Sequence, residues 1–406
     1  MNLKNSSQEW RRIFFVSFAV VFLTTLTATV PALAQTETVV YNFCSLADCT
    51  DGYKANGRLI AGSGGNLYGT TLSGGSAASG TLYKLSPDGT ETVLYNFGVK
   101  TGDGWEPSLG VTMDKRGNFY GVTEAGGAYG KGTVFKISPD GSETILHSFG
   151  ATRHDGTYPY GPVVLDKKGN VYGSTNEGGE YACGFGGAGC GTVFRIDTDG
   201  KESILHSFQG NTDGYFPYSG PSIDGQGNLY GTTVAGGSAN EGIVYEVTNK
   251  GVYSILCNFG AGASDGIDPF GTLTVDAKGN VYGVANQGGA FYDGVVFKLT
   301  PGSSWTESTL YTFGTNKNDG SEPWGGLVLD GEGNLYGATY EGGLYGAGTV
   351  FEISPSGTET MLYSFNGNSD GGSPSGGLIR DSRGNLYGPT YSGGSNGNGV
   401  IYKVSP

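Results

Sequence analysis

The sequence alternates short runs of β-branched and aromatic residues with turns rich in glycine, aspartate and asparagine. Between residues 108 and 149, four such runs occur, at 108–114, 118–121, 133–136 and 143–149. The segments between them are Asp-x-x-Gly-Asn, a Gly-Gly loop and Ser-Pro-Asp-Gly, and these residue types are the ones that β-hairpin turns select. Because the apolar runs are short and bounded by turns, the pattern predicts antiparallel β-strands.

This arrangement occurs seven times along the chain. Its most regular part is the motif Gly-Asn-(Leu/Phe/Val)-Tyr-Gly, which begins at Gly65, Gly117, Gly169, Gly227, Gly279, Gly333 and Gly384. Successive copies are separated by 52, 52, 58, 52, 54 and 51 residues. A unit of this length with four strands is the size of one β-propeller blade.

The two ends of the chain complement each other. The last repeat stops after its third predicted strand, at residues 401–406, and the run at residues 36–43 closely matches the fourth strand of the first repeat at 90–97. An N-terminal strand that completes the C-terminal blade would close a ring and remove two exposed sheet edges. We therefore predict an all-β fold, a seven-bladed β-propeller with four antiparallel strands per blade that forms one domain over residues 35–406.

The tandem units resemble the GloVer repeat, with the form Gly-Asn-Leu-Tyr-Gly-Thr-Thr, Gly-Gly, Gly-Thr-Val-Phe-Lys and Thr-Glu-Thr-x-Leu-Tyr-x-Phe in order. The resemblance covers residues 36–406. It implies an exported bacterial protein built of propeller-type repeats, and it implies no established reaction and no catalytic residues. Such arrays often end in a surface anchor, and since none follows the last repeat of this sequence, we do not extend that expectation to it.

The first 34 residues have the pattern of a secretory signal peptide. Lys4, Arg11 and Arg12 precede an apolar run, and Ala32 and Ala34 provide a small-x-small cleavage site. An uncleaved N-terminal anchor is the alternative, although threonines interrupt the run. We expect cleavage near Ala34, a secreted protein in the extracellular space or periplasm, and no membrane span in the mature chain.

Composition and charge exclude several classes of protein. The chain has 77 Gly among 406 residues, which disfavours a helical fold, and its formal net charge is −14. Removal of residues 1–34 takes away three basic residues and one acidic residue, so the mature charge is −16. A surface this acidic repels polyphosphates, and we expect no nucleic-acid partner.

Five cysteines in an exported chain suggest disulfides. Cys44 and Cys49 lie in one predicted loop, and Cys183 and Cys190 lie in another, so each pair can close a local loop. Zinc is the alternative, but no histidine accompanies either pair. Cys257 remains, at a strand position where other repeats have Tyr or His, and we interpret it as a small buried filler.

Residues that occur in every repeat are expected to serve the architecture. We assign the second glycine of the motif to close packing against neighbouring backbone, the tyrosine before it to the core between blades, and the aspartate of Asp-x-x-Gly-Asn to capping of its turn. Each repeat also has an Asp-Gly loop after its fourth strand, for which we predict loop capping, with a calcium ring as the alternative. The loop aspartates are Asp51, Asp103, Asp155, Asp213, Asp265, Asp319 and Asp370.

The direction of the strands places the loops after strands two and four on one face, and these are the longer and more variable loops. Function on a rigid scaffold is usually found in such loops. Aromatic rings interleaved with acids on this face suit a carbohydrate, because rings stack on apolar sugar faces and carboxylates accept hydroxyl protons. Packing of these rings over the propeller is the alternative interpretation. The candidate ligand-binding residues are Trp105, Glu106, His154, Tyr158, Tyr160, Phe216, Tyr218, Phe270 and Trp324.

Asp268 and Glu322 occupy equivalent positions in adjacent repeats and are the candidate catalytic pair, since glycoside hydrolases use two carboxyl groups. A lyase that uses His154 as base with a bound cation is a further alternative. The sequence thus supports two functions, a binding module for a glycan or an extracellular protein and a carbohydrate-active enzyme. We expect a monomer without a metal site or cofactor, apart from the calcium alternative.

Overall fold

The computed structural model describes residues 35–183 and 187–405, which form β-strands connected by turns and loops. The strands form seven antiparallel sheets, and consecutive repeats form consecutive sheets. A buried hydrophobic cluster joins each sheet to the next, and seven clusters close the ring. The predicted seven-bladed β-propeller is confirmed.

The predicted signal peptide, residues 1–34 with its cleavage site at Ala34, lies outside the described residues. Within the described part of the chain, no helix has the length and apolar character that crossing a membrane requires.

The first sixteen strands, in chain order, are β1 Thr36–Asn42, β2 Tyr53–Ala61, β3 Leu67–Ser73, β4 Thr81–Leu85, β5 Glu91–Asn96, β6 Gly104–Pro107, β7 Thr112–Met113, β8 Phe119–Gly126, β9 Thr133–Ile137, β10 Glu143–Ser148, β11 Gly156–Pro159, β12 Val164–Leu165, β13 Val171–Gly178, β14 Thr192–Ile196, β15 Glu202–Ser207 and β16 Ser222–Ile223. The remaining strands are β17 Leu229–Thr233, β18 Ile243–Val247, β19 Tyr253–Asn258, β20 Gly266–Val275, β21 Val281–Gly288, β22 Val295–Thr300, β23 Thr306–Thr312, β24 Gly320–Leu329, β25 Leu335–Gly342, β26 Thr349–Ile353, β27 Glu359–Ser364, β28 Gly372–Pro374, β29 Ile379–Arg380, β30 Leu386–Ser392 and β31 Val400–Ser405. Short 3₁₀ turns occur at Ala47–Cys49, Ser63–Gly65 and Asn211–Asp213.

Each blade runs from an inner strand at the axis to a fourth strand at the rim, as in the order β2-β3-β4-β5 of blade 1. The inner strand differs from the sequence prediction. In blade 2 it begins at Gly104 rather than at Ser108, and it is divided into β6 and β7. The interruption occurs because Leu109 and Gly110 have φ of 52° and 96°, which turns the backbone out of the ladder. The Asp-Gly-x-x-Pro segment, which the sequence analysis placed in a loop, therefore starts the inner strand.

The ring closes as predicted, through the N-terminal strand. Strand β1 pairs antiparallel with β31, from Thr36 opposite Ser405 to Asn42 opposite Val400. Blade 7 therefore contains three strands from the C-terminal repeat and a fourth from the start of the domain. This pairing covers the edge that β31 would otherwise expose.

The core between blades is built around one fully buried phenylalanine per blade. In blade 1, Phe97 at the end of the fourth strand contacts Phe135 of blade 2, with ring centroids 5.0 Å apart. The corresponding pairs at the other six junctions have centroid distances between 4.8 and 5.3 Å. The seven phenylalanines are Phe43, Phe97, Phe149, Phe208, Phe259, Phe313 and Phe365.

The second glycine of the repeated motif makes room for a ring, and this corrects the expectation that it faces backbone. A Cβ atom at Gly121 would come within 2.6 Å of the Phe135 ring on the adjacent strand. A Cβ at Gly283 would meet Phe297 and Leu273 in the same way. Glycine is therefore required at this position because the aromatic ring of strand three lies where a Cβ atom would be.

The turn aspartate caps its turn, as predicted, and it also contacts the motif tyrosine. Asp114 accepts hydrogen bonds from the backbone N–H groups of Arg116 and Asn118 at 2.8 and 2.9 Å, and the Tyr120 hydroxyl lies 3.2 Å away. The same contacts occur in the five following blades. Blade 1 has Ser63 in this turn, and its tyrosine, Tyr68, packs on the Phe119 ring instead.

Both predicted disulfides are present, Cys44–Cys49 and Cys183–Cys190. Cys257 is a free thiol, as expected, but it is only half-buried. Its Sγ lies 3.1 Å from a carboxylate oxygen of Glu307 on the next blade. Cys257 packs against a core cluster as a small residue does, but it is not fully buried, and its thiol faces a carboxylate rather than apolar side chains alone.

Candidate functional site

Glycine residues close the axis of the propeller. Near the middle of each inner strand, the backbone bulges until it contacts the inner strand of the next blade. A Cβ at Gly57 would overlap the carbonyl group of Leu109, and one at Gly376 would overlap the carbonyl oxygen of Gly57. The cavity left at this level is about 20 Å³, room for about one water molecule. The depression at the axis on the variable face, which we call the opening, therefore does not continue as a channel through the propeller.

Four aromatic side chains from four consecutive blades line one side of this opening, and we call them the aromatic arc: Tyr160, Tyr218, Phe270 and Trp324. Their successive ring centroids are 5.6, 6.1 and 4.1 Å apart. All four rings are half-buried, so each also presents a face or edge to solvent. Phe270 and Trp324 reach the closed part of the axis.

The other side of the opening is small and polar. At the positions equivalent to the aromatic arc, blades 7, 1 and 2 have Ser375, Asn56 and Ser108, all buried. Among the described residues, Asn56 Oδ1 and Ser108 Oγ have no hydrogen-bond partner. The opening is therefore asymmetric, with an aromatic half and a half that retains hydrogen-bonding capacity.

Two residues before the arc position, every blade has a non-glycine residue in the left-handed region. The φ angles of Glu106, Asp268 and Glu322 are 60°, 53° and 53°. In this conformation, each backbone N–H reaches a carbonyl of the preceding blade, as Asp268 does to Glu241 at 3.1 Å and Glu322 to Asp293 at 3.0 Å. Because all seven blades share it, this strained conformation serves the contact between blades rather than one local site. The seven residues are Lys54, Glu106, Tyr158, Phe216, Asp268, Glu322 and Ser373.

The acids around the opening lie in groups that the sequence did not predict. Burial, and then the charge of Glu241, raises the pKa of Asp268. Burial, followed by the charges of Glu341 and Asp293, raises the pKa of Glu322. The acids that perturb Asp268 and Glu322 thus come from the loops beside them, and neither of the predicted pair perturbs the other.

A third acidic group lies on blade 2. Burial, and then the charge of Glu106, raises the pKa of Glu124. Burial raises the pKa of Tyr160 to about 12, with contributions from Glu124, Tyr218 and Tyr391. These neighbours belong to blades 2, 4 and 7, so the Tyr160 hydroxyl lies toward the centre of the opening.

The other candidate ligand-binding residues are more scattered. Phe216 packs between Tyr215 and Tyr218, and the Tyr158 hydroxyl accepts a hydrogen bond from Lys131 at 2.6 Å. Trp105 and Glu106 are exposed on blade 2. His154 lies apart from the arc, in an outer cleft with Tyr181 and His206. The structure therefore brings together the four arc residues and Phe216 but not His154.

Sequence reasoning missed two aromatic residues of the opening. Tyr340 packs against Trp324 with centroids 5.5 Å apart, and Lys54 lies over the Tyr391 ring at 5.3 Å. Both tyrosines are at the end of the second strand, three residues after the motif glycine. That position varies between blades, whereas the residue before it is Thr in six of the seven, and this contrast is the signal that could have identified them.

The loop aspartates cap their loops, as predicted, and take part in a second repeated arrangement that we call the junction triad. A triad contains the loop aspartate, the Tyr, His or Cys of the fourth strand, and a glutamate that starts the fourth strand of the next blade. At the junction of blades 1 and 2, the Tyr95 hydroxyl lies 3.1 Å from Asp103 and 2.6 Å from Glu143. Asp103 also accepts the backbone N–H of Val99 at 3.1 Å. The calcium alternative for these loops stays an untested prediction.

The opposite face carries a cleft of about 750 Å³ between blades 3 and 4. Four basic side chains line it, together with the turn aspartates Asp166 and Asp224. This face carries the tight Asp-x-x-Gly turns, and the cleft makes it a second candidate surface. Its basic residues are Lys167, Lys168, Arg195 and Lys250.

Comparison of the sequence with protein families gives one match. The model of the Gloeobacter/Verrucomicrobia repeat matches residues 25–186 and 278–406. No curated protein matches the sequence.

The structure is similar to several solved propellers. Virginiamycin B lyase from Staphylococcus aureus matches with a TM-score of 0.58 and 13% identity, over 92% of this chain and 99% of the lyase. The extracellular domain of a protein described as a hybrid two-component system from B. thetaiotaomicron matches with a TM-score of 0.59 and 14% identity, over 92% of this chain and 41% of that one. Puromycin hydrolase matches with a TM-score of 0.54 and 14% identity, over 82% of this chain and 50% of the hydrolase. At such identities the likeness shows the fold alone.

Proposed function

The chain belongs to the Gloeobacter/Verrucomicrobia repeat family, and we propose that it is a secreted binding propeller whose aromatic arc binds an extracellular glycan. The observation that carries the proposal is the continuous line of four half-exposed rings from four consecutive blades. Stacking of sugar rings on aromatic faces requires such rings beside hydroxyl acceptors.

The two halves of the opening suit complementary parts of a sugar. The arc supplies apolar faces, while the acids at the edge supply acceptors for sugar hydroxyls. Asp268, Glu322, Glu106 and Glu124 add negative charge, so a neutral glycan is favoured over a sulfated or uronic one. Since the axis is closed by backbone, the ligand lies across the face and does not enter a channel.

Replacement of one arc residue tests the proposal. Trp324→Ala removes the ring that contacts both Phe270 and Tyr340, so we expect glycan affinity to fall about tenfold or more, while Trp324→Phe retains part of it. A glycan array identifies the ligand, and titration calorimetry on that glycan measures the change. Tyr292→Ala is the control, because this tyrosine is exposed on an outer loop and is 71% accessible.

Three results would contradict the proposal. The first is a Trp324→Ala protein that unfolds at the same temperature as the wild type and binds the glycan equally well. The second is an equal loss of affinity in Tyr292→Ala. The third is binding that is removed only by substitutions in the basic cleft, such as Lys250→Ala, which would place the ligand on the opposite face.

An enzyme acting on the same glycan is the second candidate. It is favoured by the equivalent positions of Asp268 and Glu322 in adjacent blades, where burial raises the pKa of each carboxyl group in the direction that a general acid needs. If the protein is a hydrolase or lyase, Glu322→Gln should abolish product formation and leave binding nearly unchanged. Chromatography of the array-identified glycan after incubation with each protein decides the matter, and a wild-type protein that binds without forming product excludes this candidate.

A further inference from the structure

One junction triad differs from the others in its donor atoms. At the junction of blades 2 and 3, the fourth-strand residue is His147, whose Nε2 lies 3.4 Å from Asp155 Oδ1 and 3.6 Å from Glu202 Oε2. The ligand atoms of the three residues all lie within 4.8 Å of one another. In the part of the chain that the structure describes, this is the one group of three such side chains with that spacing.

The two distances from His147 are close to those between the ligand atoms of a metal site. Zinc lies ~2.0–2.2 Å from nitrogen and carboxylate oxygen ligands, so in a tetrahedral site the ligand atoms are ~3.4 Å apart. The two distances from His147 are 3.4 and 3.6 Å. Both exceed an ordinary hydrogen bond between a ring nitrogen and a carboxylate, and they leave space for an ion among the three groups.

The carboxylates of the triad are oriented toward the histidine. Asp155 is 5% accessible, and its Oδ2 accepts the backbone N–H groups of Gly150 and Ala151 at 2.8 and 2.9 Å. Its Oδ1 is therefore left for the centre of the triad. Glu202 is held in a fourth strand, and its Oε1 is buried and has no partner among the described residues. The imidazole nitrogen and one oxygen of each carboxylate therefore face one another at this junction.

At the other junctions, a side chain occupies the space between the loop aspartate and the residue that faces it from the next blade. Where the fourth-strand residue is tyrosine, its hydroxyl occupies the gap, as Tyr95 does between Asp103 and Glu143. At the junction of blades 3 and 4, the histidine is His206, but Tyr253 replaces the glutamate and stacks on the imidazole at 3.6 Å. Only the junction of blades 2 and 3 combines an imidazole with both carboxylates, within the described residues.

We propose that His147, Asp155 and Glu202 bind one divalent transition-metal ion, with Zn²⁺ as the preferred ion. His147 supplies Nε2, each carboxylate supplies one oxygen, and solvent completes the coordination. Imidazole together with carboxylate suits zinc, whereas calcium prefers a set of oxygen ligands. The ion joins the fourth strand of blade 2, the following loop and the fourth strand of blade 3, so it stabilises this junction and lies away from the aromatic arc.

The experiment measures Zn²⁺ binding to EDTA-treated protein by titration calorimetry and the unfolding temperature by scanning calorimetry. We expect one ion per chain and a higher unfolding temperature with Zn²⁺. Co²⁺ at the same site should show visible absorption bands that Zn²⁺ removes by competition. His147→Tyr introduces the residue that four equivalent junctions already contain, so it should fold normally and bind Zn²⁺ at least tenfold more weakly.

His206→Tyr and His154→Ala are the controls, and both should bind Zn²⁺ as the wild type does. Glu202→Gln should weaken binding and serves as a second variant if His147→Tyr does not fold. The proposal is wrong if the wild type binds no Zn²⁺ at micromolar concentration, if His147→Tyr and Glu202→Gln bind it unchanged, or if either control removes the binding.

Discussion

The unfolding temperature of the protein should fall as the pH rises from 5.5 to 8.5, by up to about 5 °C. The cause is the glutamate of the junction triads. Burial, and then the charge of the facing aspartate, raises the pKa of Glu37, Glu91 and Glu359 to about 7. Burial also raises the pKa of Glu143 to about 7; the Tyr95 hydroxyl opposes this shift and Asp103 adds to it.

Unpartnered carboxylate oxygens in the triads are consistent with a proton shared between the glutamate and the aspartate of a triad. Glu143 Oε1 and Asp103 Oδ1 are both buried without a partner among the described residues, and so are Glu37 Oε1 and Asp370 Oδ1. Two ionised carboxylates cannot satisfy each other, whereas a carboxylic acid donates to the neighbouring carboxylate. At acidic pH, the protonated glutamate therefore donates a hydrogen bond to the aspartate of its triad, and this hydrogen bond is lost when the glutamate ionises.

The sign of the effect follows from proton binding. A glutamate whose pKa is near 7 in the folded state and near 4.5 in the unfolded state binds its proton more tightly when folded. Its contribution to stability is full below pH 4.5 and is lost as the pH rises through 7. The difference amounts to ~3 kcal/mol for a fully buried group, and solvent screening reduces it to about 1 kcal/mol for each of these half-buried groups.

The turn aspartates have the opposite dependence and limit stability at low pH. Burial opposes the shift, but hydrogen bonds from Asn118 and Arg116 hold the pKa of Asp114 below its usual value. The stabilising contribution of such a group is present above pH 4 and is lost as the pH falls through its folded-state pKa. Maximum stability is therefore expected near pH 5, between the two sets of carboxyl groups.

Glu143→Gln provides a test that separates this mechanism from general charge repulsion. The amide cannot ionise, so the variant should be more stable than the wild type at pH 8.5 and nearly equal to it at pH 5.5. Glu332→Gln, on an exposed tight turn, is the control and should change neither value. The mechanism is wrong if urea midpoints of the wild type stay constant or increase between pH 5.5 and pH 8.5.

The fold could be predicted from sequence because its information is local and repeated. Apart from β1 and β31, paired strand residues lie within about 25 residues of each other, and seven copies of the same pattern remove the ambiguity of any one of them. The position of the inner strand was predicted less well. The positive φ values at Leu109 and Glu106 arise from contacts with neighbouring blades, which the sequence of one repeat does not contain.

The candidate site was predicted in part for the same reason. Phe270 and Trp324 occupy equivalent positions in adjacent repeats, so their proximity followed from the repeat itself. The acids next to Asp268 and Glu322 depend on how long loops fold over the face. His147 and Glu202 are 55 residues apart on different blades, and their meeting depends on the exact register of two fourth strands.

Loss of the Phe43 ring, at the junction of blades 7 and 1 where the propeller closes, should destabilise the protein and change where unfolding begins. The same substitution at another junction should not move the site where unfolding begins to this junction. Phe43 is fully buried, and its ring centroid lies 5.1 Å from that of Tyr83 on blade 1. Phe43→Ala should cost about 3–5 kcal/mol of the free energy of unfolding. Phe259→Ala is the matched control, since Phe259 is equally buried and packs on Phe297 at 5.0 Å.

The two variants should differ in where they unfold first. Phe259 lies inside a continuous chain, with its strand connected to folded blades on both sides. Phe43 follows β1, which is joined to blade 1 by a loop and is held in blade 7 by its pairing with β31 and by side-chain packing. Its loss should release β1 and expose the edge of β31, a strand edge that can pair with a second molecule. Hydrogen exchange should therefore increase first at residues 36–42 and 400–405 in Phe43→Ala and near blades 4 and 5 in Phe259→Ala, and an identical pattern in both would show that β1 does not lock the ring.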